Sequence, residues 1–394
     1  MNKHFEGWVL AGQSNMEGYG LLDDPGLDVE IDPRVISLGS DGEWRLAEEP
    51  LHWLWESYTP VHASINKSFM ADESEKQLST IEHASRHREV RVNGAGLGLA
   101  FGKERTDAIG SNVALIPCAH GGTEIELWMP GFSGLPADSL ETLYGSMIDR
   151  IKRAKQLSGF ELKGVLWYQG ESDADTCQSD SYAQKLTHFI ESVRKDVGDP
   201  DLLFVIIQLG KFITSNDPAR RTHWNSLRET QRIIANQTSN TGLVTTLDLS
   251  ICDEIHLDTQ SLYRLGRRIS SAVKRDFATP KISRVFYAGR TSNGYSSVKI
   301  EVENVHLGWR PGSLSGFEIV QLEGESTAGY RIYDARRDSA DHKKIELIIG
   351  PTGVDFSSDL KLMYGQGFAP NCNALDMDDQ GLPAFGPIDI EFEN

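Results

Sequence analysis

A serine at position 14 stands in Gly12-Gln13-Ser14-Asn15-Met16-Glu17-Gly18, a run of small and amide-bearing residues directly after a short apolar segment. A serine hydroxyl is a weak nucleophile alone and needs a base within hydrogen-bond reach, plus a third group that orients the base. Far along the chain, Asp253-Glu254-Ile255-His256 sets a carboxylate three residues before an imidazole. In a helical turn that spacing leaves the two Cβ atoms about 5–6 Å apart, so Asp253 reaches one ring nitrogen and leaves the other to face Ser14. Such a set performs acyl transfer, which also needs N–H groups aimed at the oxygen that becomes negative. Two further loops offer them. His120-Gly121-Gly122-Thr123 presents a backbone N–H at Gly121 or Gly122, and Gln169-Gly170-Glu171-Ser172-Asp173 presents the Gln169 side-chain amide. The plainer alternative is that the glycines make turns and Gln169 satisfies backbone.

These loops need a scaffold that brings them together. Apolar, β-branched-rich runs at residues 8–11, 113–119, 164–168, 203–209 and 243–249 read as buried strands. Between them apolar residues recur at helical spacing, as in Leu140, Tyr144, Met147 and Ile151, or Tyr182, Leu186, Phe189 and Val193. Alternation of this kind predicts an α/β fold whose parallel sheet is covered on both faces and binds ligands at the carboxyl ends of its strands. Each candidate loop follows one of those strands. After a helix-like stretch at 259–277 the pattern changes to short strands at 282–286, 297–302, 317–321 and 345–349 between glycine-rich turns. The expected division is 1–280 and a C-terminal all-β region at 281–394. Residues 20–93 form a long insertion whose Trp44, Trp53, Trp55 and Tyr58 either tie it to the core or build a platform for a sugar ring.

Taken in order, the four motifs resemble the SGNH hydrolases, specifically the sialate O-acetylesterase-like branch grouped with acetylxylan esterases in carbohydrate esterase family six. The resemblance implies a flavodoxin-like three-layer α/β/α domain with Ser14 as nucleophile, His256 as base and Asp253 as its orienter. It implies an oxyanion hole from the Ser14 N–H, a Gly121 or Gly122 N–H and Gln169, and loop or substrate support from Gln13, Asn15 and Glu171. The substrate class it implies is an acetylated sugar or polysaccharide, cleaved without metal or cofactor. Where many relatives carry proline after the histidine, this chain has Leu257. Two rivals compete with this reading. The Glu171 and Asp173 carboxylates suggest glycoside hydrolysis, and a non-catalytic carbohydrate-binding protein on an esterase fold would carry the same motifs.

Composition narrows the classes further. The 394 residues hold 39 Lys+Arg against 57 Asp+Glu, a net charge of −18, which opposes sequence-independent nucleic-acid binding and anionic membranes. It also opposes a polyanionic substrate unless local cations such as Arg86, Arg88 and Arg91 compensate. Cys118, Cys177, Cys252 and Cys372 are far apart and read as free thiols. His83 and His87, four apart without a following Glu, read as a solvated face, not a metal site. The glycines from Asn93 to Gly98 miss dinucleotide-loop spacing and instead let a helix approach the sheet. Residues 1–8 lack the order of an export signal. For the chain as given this fits the cytoplasm, or the periplasm or exterior if a signal was removed.

Overall fold

The computed structural model describes residues 4–28, 30–69, 93–176, 179–213, 215–321, 330–350 and 360–392. The segment with His83, Arg86, His87, Arg88 and Arg91 lies outside them, as does Cys177. The first strand, β1 (Phe5–Gly12), is buried along its whole length, the signature of a central parallel strand covered on both faces. Two short strands, β2 (Gly20–Leu21) and β5 (Asn93–Ala95), pair with each other. Between them come β3 (Val35–Leu38) and β4 (Trp44–Leu46). The main sheet continues with β6 (Asn112–Pro117), β7 (Phe160–Tyr168), β8 (Leu203–Ile207) and β9 (Thr241–Val244).

The seven strands stand in the order β4-β3-β6-β1-β7-β8-β9, all parallel except the edge strand β4. The core run β6-β1-β7-β8-β9 has the order of a flavodoxin-like, doubly wound sheet. The insertion differs from a mere connection. It donates β3 and β4 to the sheet, with Val35 and Leu38 fully buried and polar Ser37 interrupting the apolar run.

Among the described residues eight α-helices accompany the sheet: α1 (Ser14–Glu17), α2 (Pro60–Phe69), α3 (Gly98–Ile109), α4 (Leu143–Ala154), α5 (Glu171–Asp175), α6 (Ser179–Val197), α7 (Pro218–Gln237) and α8 (Thr259–Lys274). Helix α8 pairs with α3, while α4, α6 and α7 pack in succession. Sequence explains these helices locally. Asp258 caps α8 by accepting from the Ser261 N–H, and Leu262, Leu265, Ile269 and Ala272 form its buried stripe. Gly266 is required there, because a Cβ would stand 2.3 Å from the Leu97 carbonyl oxygen of the approaching α3 backbone.

From Lys281 onward the described residues contain strands and no helix. A five-stranded sheet joins β10 (Lys281–Arg290), β11 (Ser296–Glu303), β13 (Arg331–Arg337), β14 (Ile345–Gly350) and β17 (Glu391–Phe392). A three-stranded sheet joins β12 (Phe317–Gln321), β15 (Leu360–Tyr364) and β16 (Phe385–Asp389). Trp309, Ile345, Leu347, Leu362 and Phe385 share a second apolar cluster, distinct from that of the main sheet.

Buried polar groups tie the two parts together. Arg228 on α7 donates to the carbonyls of Leu209 and Gly210 after β8, and to those of Gly365 and Gly367 after β15. Gln208 exchanges two hydrogen bonds with the Ala384 backbone. Phe212 stacks on Trp224, meets Phe368 edge-on and takes a backbone hydrogen bond from its N–H to the Phe368 carbonyl. The next residue, Ile213, donates its N–H to the carbonyl of Glu254. Of the insertion aromatics, Tyr58 donates to Asp149 on α4 and Trp44 packs near Phe160, both ties to the core. Trp53 lines a separate groove with Leu22, Ile31 and Pro50, and the Trp55 side chain lies outside the described residues.

Candidate active site

Gly12 closes β1 with φ 134°, and a Cβ on it would stand 2.0 Å from the Tyr168 carbonyl oxygen at the end of β7. Only glycine lets the two strand ends approach so closely while the chain turns to present Ser14. The Ser14 Oγ lies 2.9 Å from His256 Nε2, and His256 Nδ1 lies 2.7 Å from Asp253 Oδ2. With its proton on Nδ1, against the carboxylate, the ring leaves Nε2 to accept from the serine hydroxyl. Asp253 Oδ1 accepts the backbone N–H groups of Ile255 and His256, which locks the carboxylate in the turn. Burial opposes ionisation of Asp253, but the His256 ring and the two backbone donors outweigh it and hold its pKa below the usual carboxylate value. The half-exposed Tyr19 ring stacks on His256 with centroids 3.8 Å apart and planes 18° apart.

Asn15 joins the two distant segments. Its amide nitrogen donates to Glu171 Oε1 at 2.8 Å and to the Ile255 carbonyl at 3.2 Å, and its oxygen accepts the Leu257 N–H at 3.0 Å. The histidine loop is thus gripped on both sides of His256 by the residue next to Ser14. Gln13 Oε1 lies 3.3 Å from Gln169 Nε2 and from the N–H groups of Gly170 and Ser172. Gln13, Asn15 and Glu171 are all nearly inaccessible to solvent, so they brace loops and leave substrate contact to others.

The expected oxyanion donors meet a specific geometry. Gln169 is fully buried, and its amide nitrogen lies within reach of Asp173 Oδ2 at 2.6 Å, the Thr123 carbonyl at 2.9 Å and Gln13. Donating to a reacting oxygen would break one of these bonds. The Gly121 N–H donates to Glu17 Oε2 at 2.7 Å, and Gly122 is exposed with φ 67°. The carboxylates after β7 are likewise internal. Burial raises Glu171 to about 7 and Asp173 to about 6, in spite of hydrogen bonds from Asn15 to the former and from Gln169 to the latter. His120 is buried against His62, with Nδ1 atoms 3.0 Å apart, and burial lowers its pKa to about 4. Its Nδ1 is thus engaged by the His62 ring. Among the described residues no group of three or more His, Cys, Asp or Glu side chains is placed to hold a metal ion.

Compared with known families, residues 4–275 match the carbohydrate esterase family described as sialic acid-specific acetylesterase. The chain belongs to this family. A probable carbohydrate esterase of Arabidopsis thaliana is 28% identical over 281 residues, 68% of this chain and 90% of the plant protein. An Arabidopsis thaliana crystal structure is similar over 69% of this chain and 98% of its own, with a TM-score of 0.51 and 26% identity. The crystal structure of a carbohydrate acetylesterase from Xanthomonas citri is similar over 96% of this chain and 80% of its own, with a TM-score of 0.66 and 20% identity. This last similarity extends this family member's likeness in fold beyond the family match and into the β-rich part.

Two members of the site carried little sequence signal. Glu17 lies inside the serine motif, but its partner Gly121 is 104 residues away. Tyr19 was legible only as an aromatic just past that motif.

Proposed function

We propose that this member of the carbohydrate esterases hydrolyses O-acetyl esters of sugars through a serine nucleophile. The observation that carries the reading is the unbroken hydrogen-bonded path from Asp253 through His256 to Ser14. Ser14 Oγ attacks the acetyl carbonyl while His256 Nε2 takes its proton, and Asp253 stabilises the imidazolium that forms. His256 then returns the proton to the leaving sugar oxygen, giving free alcohol and acetyl-Ser14. Water gives a proton to His256 as its oxygen attacks the acetyl group. Acetate leaves, and Ser14 recovers the proton.

The oxygen that turns negative would lie against the backbone N–H groups of Ser14 and of Gly121 or Gly122. Burial of Glu171 and Asp173 speaks against glycoside hydrolysis, because neither carboxylate is open to a sugar ring. We further assign residues 1–280 to the esterase domain and 281–394 to a β-rich domain that braces it. The test is acetate release from 4-nitrophenyl acetate and acetylated sugars by wild type, Ser14→Ala and His256→Ala. Each folded variant should lose turnover by orders of magnitude; unchanged turnover in either would overturn the assignment. Sugar binding without any acetate release, even by wild type, would favour the binding-protein reading.

A further inference from the structure

Tyr19 stands just past the serine motif, and backbone contacts on both sides set its place. The Gly18 N–H before it donates to the Ser14 carbonyl at 2.9 Å and closes α1. Gly20 after it pairs with Ala95 across β2 and β5, and the Leu21 N–H donates to Thr259 Oγ1 at 2.8 Å. Thr259 opens α8 shortly after His256, so the segment that carries Tyr19 is fastened to the one that carries the histidine. The Tyr19 ring lies flat on the imidazole, with centroids 3.8 Å and planes 18° apart. Asp253 and Ser14 meet the same imidazole at its edge, 2.7 Å from Nδ1 and 2.9 Å from Nε2. Edge and face are thus served by different groups. Tyr19 is also 38% exposed, so the ring does not fill a core.

We propose that Tyr19 is a positioning residue that promotes the reaction through His256, by offering its π face to the positive charge that the imidazole acquires. The proposal rests on the reading of Ser14 as nucleophile and His256 as base. The negative face of an aromatic ring attracts a cation that lies over it within about 6 Å of the centroid. His256 takes the serine proton and carries a positive charge until it hands that proton on. The added attraction arises only with that charge, so it lowers the barrier and leaves substrate binding little changed. The imidazolium forms again when water attacks acetyl-Ser14, and both half-reactions gain. A contact of this kind changes a rate by roughly 3- to 30-fold.

The experiment measures kcat and KM on 4-nitrophenyl acetate and on an acetylated methyl glucoside, with folding checked by circular dichroism. It compares wild type with Tyr19→Leu, with Tyr19→Phe, and with Tyr19→Phe in which the new ring bears one, two or three fluorines. Fluorine drains the negative charge from the ring face at nearly constant shape. Tyr19→Leu should lower kcat by roughly 3- to 30-fold with KM little changed, and Tyr19→Phe should keep most of the turnover. Each added fluorine should lower kcat a step further. A flat fluorine series, or equal turnover by Tyr19→Leu and Tyr19→Phe, would reduce Tyr19 to an apolar cover for the loop and overturn the proposal. A loss confined to KM for the glucoside would make the ring a platform for the sugar and overturn it as well. Ser14→Ala serves as the control. If it retained acetate release, the nucleophile assignment itself would fall, a result that no outcome of the Tyr19 series imitates.

Discussion

Replacing Glu171 by glutamine should make the protein more stable at pH 8 than wild type, while leaving the two alike at pH 4. The Glu171 carboxyl is nearly inaccessible, accepts from Asn15 on Oε1, and has no hydrogen-bond partner for Oε2 among the described residues. Burial moves its pKa from 4.5 to about 7. The folded state thus keeps a proton that the unfolded chain releases from pH 4.5 upward, and stability falls as pH rises through the folded pKa near 7. At about 1.4 kcal/mol per pH unit, the full window is worth ~3 kcal/mol, fully lost only above it. Glutamine keeps the acceptor for Asn15, has the shape of the protonated acid and never ionises. The difference between the two proteins, read from urea unfolding at pH 4 to 9, should be flat below pH 4.5, climb across the window and level off above pH 7. Asp173, raised to about 6, contributes a similar decline to both proteins and largely cancels in the difference. A difference that stayed flat from pH 4 to 9 would refute the account of Glu171 as a carboxyl held neutral by burial.

Three further outcomes are expected. Asp253→Asn should keep its backbone acceptor bonds yet lower kcat by about 10³- to 10⁴-fold, because an amide no longer stabilises the imidazolium, as steady-state kinetics on 4-nitrophenyl acetate would read. Asn15→Ala releases the histidine loop on both sides of His256 and should lower kcat by about 10²-fold while KM moves little, measured on the same substrate with a circular dichroism control. Arg228→Leu strips partners from buried carbonyls of Leu209, Gly210, Gly365 and Gly367 and should cost about 3–5 kcal/mol in urea unfolding, with Arg228→Lys unable to restore it because one ammonium cannot reach both loops.

The hydrogen-bonded constellation of Ser14, His256 and Asp253 was legible because its members carry local signals: a serine directly after a buried strand, and an aspartate three residues ahead of a histidine. The buried runs that became β1, β6, β7, β8 and β9 were legible as well, since strands covered on both faces are continuously apolar. What escaped was whatever depends on a distant partner. Asn15 looks like any motif residue until Glu171 and Leu257 arrive from 156 and 242 positions away. Strand β3 is four residues long and broken by Ser37, too short for periodicity to register. The internal partners of Gln169, the Thr123 carbonyl and Asp173, are supplied by folding and leave no mark beside it in the sequence.

Asn15's grip on the histidine loop has a consequence for the order in which the molecule comes into being. Ser14 is synthesised 242 residues ahead of His256, the side chain to which it is hydrogen-bonded. The loop that carries His256 is in turn fastened, through Ile213 and Phe212, to Phe368, more than a hundred residues further on. Closure of so long a loop comes late in folding. On the proposed mechanism, a nascent chain that has made Ser14 but not yet the segment carrying Asp253 and His256 would be chemically silent.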